Sequence, residues 1–353
     1  MQKSAKPKLR RQNPQENRVH NLMRELKNIL LIRLKSIGDV VFTLPAVNVI
    51  RDNFPAAKIT FLTSKENAPL LAGFREVNEV IRLDRAAFRG ANPLKVIPQF
   101  FGLLRHLRAG KFDLVVDFQG YGETAWLARL TGAPQRWGSV YGKGRKWAYT
   151  LGVVRDDALH HADRSLAILL AGGLKIGAVR NEFVLPEAAV NDARAWFADQ
   201  RLDLTKPVIY FQPFTSTPHK NWPFENYLVL ANHWRAHGVQ VIIGGGPADQ
   251  PLLDQARSLG FAVPDRLPRL TDAGLMKLST LIVGGDTGFM HLAVAMGKRV
   301  IMLMNFQVSS NAVPFRHPGW IVAPPAGSPL AEVAPEKMID AVGSALAAVR
   351  PGN

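Results

Sequence analysis

Apolar and polar positions alternate between two periods along most of this chain. Residues 28–34 read NILLIRL, an apolar run that predicts a buried strand, and residues 35–39 read KSIGD, a short loop. Over residues 40–53 apolar side chains recur at 40, 41, 44, 47 and 50, the spacing of a helical stripe. Strands are then expected at 58–63, 77–83 and 113–117, with an amphipathic basic helix at 94–108. A helix-rich stretch follows, including a buried helix at 166–174 and a basic, aromatic segment at 136–149, RWGSVYGKGRKWAY. The chain turns polar over 181–206, and the alternation restarts with strands at 208–211, 239–243, 281–283 and 299–303. The helices expected between and beside them span 224–237, 249–259 and 289–296. A last helix, 335–349, starts on a proline, which the first turn of a helix tolerates.

Strand–helix alternation predicts parallel sheets, so the fold class is α/β with two doubly wound domains. The length of 353 residues agrees with two domains of about 150 residues each. The expected division is a tail at 1–26, an N-terminal domain at 27–185, a C-terminal domain at 200–334 and a terminal helix at 335–353. That helix is expected to pack back on the N-terminal domain. Two such sheets bind ligands at the carboxyl ends of their strands, in the cleft between domains.

Charge narrows the partners. The chain carries a formal +16, with eight Lys/Arg against two Glu in residues 1–27 and seven Lys/Arg against one Asp in 82–111. Such a balance favours anionic partners: a nucleotide-linked substrate, an anionic membrane surface or nucleic acid. Nucleic acid lacks support, because no RNA-binding aromatic signature, zinc-finger spacing or helix-turn-helix is present. The basic tail suits either a solvated arm or an electrostatic tether to anionic lipid. With no cysteine, disulfides, thiolate catalysis and cysteine-held metals are excluded. No stretch reaches the length of a membrane span and no secretory signal is seen, so a cytoplasmic protein is expected.

Three short stretches carry candidate chemistry. Residues 283–291 read VGGDTGFMH, where a strand hands over to a helix. A helix start offers free N–H groups and a positive dipole end, so Asp286, Thr287, Gly288 and His291 suit a diphosphate and its sugar; they equally suit plain N-capping. Residues 211–223 read FQPFTSTPHKNWP. Thr215, Ser216, Thr217 and Lys220 supply hydroxyls and a cation for a phosphate, without the ending of a Walker loop. Asp39, after the first strand, faces the same cleft and suits either a cap or a general base. Gly244-Gly245-Gly246 is a turn or a place where a ligand meets backbone. His160-His161 lacks a partner at metal-binding spacing.

Together these stretches resemble glycosyltransferase family 9, the ADP-heptose:lipopolysaccharide heptosyltransferases. The resemblance spans most of residues 28–345 and rests on LLIRLKSIGDVVFTLPAV, DFQG at 117–120, TSTPHKNWP at 215–223 and GGDTGFMHLAVAMGKRVIML at 284–303. It implies the GT-B fold, two Rossmann-like domains facing across a cleft. It further implies Asp39 as catalytic base and donor contacts from Thr215, Ser216, Lys220, Asp286, Thr287, Gly288 and His291, with the adenine near Leu270 and Thr271. The acceptor side falls to Gln119 and Glu123, with Arg136, Lys143, Arg145 and Lys146 as its cations. Glu123 departs from the basic residue that family members often carry after DxQG. The resemblance implies inverting transfer of a heptose from ADP-heptose to a lipopolysaccharide inner core or another anionic, lipid-linked glycan, peripheral to the cytoplasmic face of the inner membrane. It implies no cofactor and no metal, since Lys220, the hydroxyls and the helix end meet the leaving group's charge. A nucleotide-sugar epimerase on the same fold, another sugar donor, or a scaffold without turnover are the alternatives.

Overall fold

A computed structural model describes residues 26–86, 93–141, 143–217, 220–305 and 310–349. The expected tail at 1–26 lies outside these residues except for Leu26, which is buried in the core.

The N-terminal sheet is six-stranded and wholly parallel. Its strands are β1 (Asn28–Ile32), β2 (Lys58–Ser64), β3 (Glu79–Leu83), β4 (Leu114–Asp117), β5 (Gln135–Val140) and β6 (Leu151–Val154), in the order β3-β2-β1-β4-β5-β6. The helices are α1 (Ile37–Val41), α2 (Leu44–Asn53), α3 (Pro93–Ala109), α4 (Gly122–Leu130) and α5 (His161–Ala171). The C-terminal sheet contains β7 (Val208–Gln212), β8 (Gln240–Ile243), β9 (Leu281–Gly285), β10 (Val300–Leu303) and β11 (Ile321–Val322). Its order is β11-β10-β9-β7-β8, again parallel throughout. Around it lie α6 (Glu187–Asp199), α7 (Phe224–Ala236), α8 (Gln250–Ser258), α9 (Arg269–Leu278), α10 (Gly288–Ala295) and α11 (Pro335–Ala348). The central strands β1, β4, β7, β9 and β10 are buried almost end to end, which is why they read as unbroken apolar runs.

Three expectations change. The basic, aromatic segment at 136–149 is not helix-rich; it holds β5 and a 3-10 turn over Lys143–Ala148, and β6 follows. The segment 186–199, left between the expected domains, forms α6 and packs tightly on α9. A side chain at Gly274 would stand 2.7 Å from the Ala189 carbonyl, so only glycine permits the approach. The terminal helix α11 does not return to the N-terminal domain. Its buried residues Met338, Val342 and Ala345 join the C-terminal core, and Gly343 faces Trp234 of α7. The apolar stripe of α11 fixed which face is buried, not which domain receives it.

The domains meet directly. Phe183 N–H donates to the Ala295 carbonyl (2.8 Å) and Val184 N–H to the Gly73 carbonyl (3.1 Å), strapping the connecting segment to both halves. Arg316 pairs with Asp163 (2.7 Å), and Arg269 donates to the Glu66 carbonyl.

Candidate active site

Strand order locates the site. In each sheet the order reverses beside the first strand, between β1 and β4 and between β7 and β9. At such switch points neighbouring crossovers diverge and leave a crevice past the carboxyl ends. Asp39 follows β1, Thr215 follows β7 and Asp286 follows β9. All three line one interdomain cleft of about 750 Å³, together with Ser216, Lys220, Thr287, Gly288 and His291. The structure thus brings every expected donor-side residue except Leu270 and Thr271 to the same space as Asp39.

Asp39 does not sit in a loop. It is the third residue of α1, a single turn capped by Ser36, whose Oγ accepts from the Asp39 N–H (3.4 Å), while the Asp39 carboxylate accepts from Ser36 N–H (3.3 Å). The capping reading is therefore correct, and it leaves one carboxylate oxygen for other partners. Arg33, from the end of β1, pairs with that oxygen and donates to the Phe118 carbonyl (2.6 Å). Burial alone raises the Asp39 carboxyl; Arg33, His161 and the Ser36 backbone outweigh it and hold it below the ordinary carboxylate value. His161 Nδ1 lies 3.8 Å from Asp39. Burial lowers the His161 imidazole to about 4, with Arg164, Arg33 and Arg155 adding to the effect against Asp39, so the ring is neutral at pH 7.

Across the cleft, Asp286 is held between two groups: Lys220 Nζ at 2.6 Å and His291 Nε2 at 3.1 Å. Burial raises this carboxyl, but His291 and Lys220 bring it down to about 2. The acid's charge is thus matched by a cation and an imidazole within the cleft. Thr287 caps α10, its hydroxyl accepting from Met290 N–H (3.4 Å). The two glycines before Asp286 have a packing reason: side chains at Gly284 and Gly285 would lie 2.4 Å from the Gln212 carbonyl and 2.7 Å from Thr215 Cγ2. Gly288 abuts Gly38 of α1, where an added Cβ would stand 2.6 Å from the Gly38 nitrogen. The turn that carries Asp39 and the start of α10 therefore touch through two glycines. Thr215 is partly committed to its own loop, its hydroxyl donating to the Thr217 carbonyl (2.9 Å), whereas Ser216 is exposed in the cleft. Gly245 and Gly246 line the same cleft.

The family model of glycosyltransferase family 9 (heptosyltransferase) matches residues 100–310, that is 211 of 353 residues. The chain belongs to glycosyltransferase family 9. A curated relative, the lipopolysaccharide core heptosyltransferase OpsX of Haemophilus influenzae, is 23% identical over 303 residues, covering 82% of each chain. Lipopolysaccharide heptosyltransferase 1 of Pseudomonas aeruginosa is 26% identical over 278 residues, 76% of each chain. Among solved structures, the glycosyl transferase family 9 protein of Veillonella parvula superposes with a TM-score of 0.81 at 20% identity, over 92% of this chain and 99% of that one. Escherichia coli heptosyltransferase WaaC with ADP gives 0.73 at 18% identity, over 90% and 99%. This likeness gives the chain the GT-B fold of the family, and membership makes it a glycosyltransferase.

Within this family 9 chain the expected acceptor residues do not gather in the cleft as most of the expected donor residues do. Gln119 is not a cleft residue. It is buried, and its Oε1 accepts from the N–H groups of Leu34 and Lys35 (2.9 and 3.3 Å), bracing the segment that carries Asp39. Arg136 spends its guanidinium on the Ala148 and Ala133 carbonyls, so it ties the 143–148 turn to β5 rather than offering charge to a ligand. Arg145 donates to the Gly120 carbonyl (3.0 Å). The Lys143 side chain lies outside the described residues. Glu123 is matched by Arg85 at 2.9 Å, which cancels the repulsion expected of a lone acid. Thr271 is buried, and Leu270 lines a neighbouring pocket. The cleft instead receives Arg269 and Asp272, three residues apart and hence on one face of α9. Arg85, His161, Arg269 and Asp272 line the cleft and Arg33 pairs with Asp39, none of them among the expected site residues. Arg33 had one signal, a lone charge ending an otherwise apolar strand. Among the described residues no three His, Asp or Glu gather as metal ligands.

Proposed function

We propose that this chain transfers a heptose from ADP-heptose to the inner core of a lipopolysaccharide, with inversion at the anomeric carbon. Family membership and the names of the relatives support the heptose and the lipopolysaccharide acceptor; WaaC, a structural relative, is described with ADP. The single observation that carries the mechanism is the shared cleft, with the Asp39 carboxylate on one wall and Lys220, Ser216 and the start of α10 on the other.

The acceptor oxygen attacks the anomeric carbon as the bond from that carbon to the ADP phosphate breaks. ADP leaves with the bonding electron pair, and the acceptor proton passes to Asp39. A carboxylate ionised at neutral pH is a weak base, yet it suffices because the hydroxyl becomes strongly acidic as its new bond forms. Lys220, Ser216 and the free N–H groups of α10 meet the charge growing on the diphosphate. When a diphosphate engages Lys220, Asp286 keeps His291 as its partner and has oxygen lone pairs to offer sugar hydroxyls. Arg269 and Asp272, which flank the expected adenine residues Leu270 and Thr271 in sequence, line the cleft and would face the nucleoside. With this donor set we propose transfer independent of an added metal, to be read as equal rates with and without chelator.

The test is incubation with ADP-heptose and inner-core-truncated lipopolysaccharide, reading ADP release and the anomeric configuration of the product. An inverted linkage formed only with acceptor supports the assignment. Conversion of the sugar in donor alone would point to an epimerase.

A further inference from the structure

The N-terminal domain carries an aromatic surface that the chemistry above does not use. On α3, Ile97 is 52% and Phe101 62% exposed; on α4, Trp126 is 57% exposed; on the 143–148 turn, Trp147 is 47% exposed. They form one band. Phe101 meets Phe100 (ring centroids 6.1 Å), and Phe100 and Trp126 wall one apolar hollow with Leu103, Leu127 and Leu130. Trp126 in turn packs on Trp147 (4.5 Å). Scattered apolar surface residues need no explanation, but a contiguous aromatic band across three elements marks an interaction site.

The charges around it select the partner. Arg105, Arg108, Arg129 and Lys146 are exposed on the same three elements. The sequence of α3 contains no Asp or Glu, and the single acid of α4, Glu123, is held by Arg85. A basic amphipathic helix with exposed Phe and Ile, flanked by paired indoles, is the composition that settles in the interfacial layer of an anionic bilayer. The helix α3 has 17 residues and several charges, and among the described residues no helix is long and apolar enough to cross a membrane. A face of this composition suits lying on a lipid surface rather than crossing it.

We propose that α3, α4 and the 143–148 turn form the face by which this enzyme seats on an anionic lipid surface. Arg85 gives the face a position relative to the chemistry, because it lines both the apolar hollow and the catalytic cleft. Seated this way, the enzyme opens its cleft beside the lipid headgroups. The face deepens the transferase reading, since its use rests on an acceptor anchored in lipid. The proposal also moves membrane recognition from the basic tail to folded surface.

The test is co-sedimentation of the full chain with phosphatidylcholine:phosphatidylglycerol vesicles (7:3) and with pure phosphatidylcholine, without donor or acceptor. Binding is expected to the anionic vesicles, and to fall at least tenfold in the Phe101→Ser/Trp126→Ser variant. The thermal midpoint and ADP affinity of that variant should stay unchanged, since both side chains are mostly in solvent. A full chain with its tail Lys and Arg replaced by Gln should still bind. Equal binding by the aromatic variant, or loss of binding on tail replacement alone, overturns the proposal. So does sedimentation-velocity evidence that the band joins two copies of this chain while vesicles are ignored. None of these outcomes touches donor chemistry, so failure here is distinct from failure of the transferase reading.

Discussion

At the scale of single residues, the site is a set of matched charges whose partners decide what each group does. Lys220 and His291 hold Asp286 ionised down to about pH 2. Replacing Lys220 by Ala should cost ~10²–10³ in turnover, as removal of one preorganised donor does. Stability should fall by only ~1–2 kcal/mol, because His291 still pairs with Asp286. Steady-state kinetics beside thermal melts will separate the two losses; parallel losses would make Lys220 structural. His161 makes a different prediction. Its pKa falls from 6.5 to about 4 on folding, so the unfolded chain binds more protons in that window. The stabilisation is complete above pH 6.5 and is lost as pH falls toward 4. Discounted for a side chain nearly one-third exposed, it is ~1–2 kcal/mol. A His161→Gln variant should show a shallower decline of melting temperature between pH 6.5 and 4; an unchanged slope contradicts the assignment. Residue types in the sequence singled out Asp39, Lys220 and Asp286, and the fold brings all three to one cleft. They did not show how donors are spent. Arg136 and Gln119 look free in the sequence, yet in the fold Arg136 donates to backbone carbonyls and the Gln119 Oε1 accepts from backbone N–H groups.

At the scale of elements, the seam between α1 and the start of α10 sets the geometry of the cleft. An Ala at Gly288 would place its Cβ 2.6 Å from the Gly38 nitrogen and 2.7 Å from Ile37 Cβ, backbone and branched side chain that cannot step aside. Gly288→Ala should therefore cost ~1–3 kcal/mol and lower turnover with it. Gly343→Ala in α11 is the control. Its Cβ would lie 3.4 Å from Trp234, an ordinary contact, and the better helix former should give a gain of ~0.5–1 kcal/mol. Melting curves of both variants check the pair, and equal effects would refute the seam argument. Long buried strands and amphipathic helices were legible from periodicity. Short elements were not: α1 is one turn and shows no period, and β5 and β6 carry Gly, Arg and Ser at half-buried positions. The adenine-side assignment fell on Leu270 and Thr271, whereas 269 and 272 share the helix face that meets the cleft.

At the scale of the whole molecule, each sheet has its own switch point, and residues following β1, β7 and β9 line one cleft between the two domains. Ligand binding across that seam should stabilise the whole chain. ADP at a hundredfold its dissociation constant should add about 2.7 kcal/mol, and UDP or GDP should add much less. A thermal-shift panel of the three nucleotides reads this, and an equal response to all three would remove the ADP assignment. The two-domain α/β architecture followed from alternation alone, but which domain receives α11 did not, since an apolar stripe carries no address. The charge total of +16 hinted at anionic partners without locating them. The folded chain places cations in the interdomain cleft and around an aromatic face, two surfaces joined at Arg85.

The claim on which these arguments converge is that Asp39 removes the acceptor proton. The direct measurement is the turnover of Asp39→Asn with ADP-heptose and truncated lipopolysaccharide, taken with its affinity for ADP. Asn keeps the size and the Ser36 capping contacts but cannot take up the proton. Turnover should fall by at least ~10³ with ADP affinity unchanged, a general base being worth ~10²–10⁴. Turnover within a few-fold of the parent enzyme would contradict the mechanism.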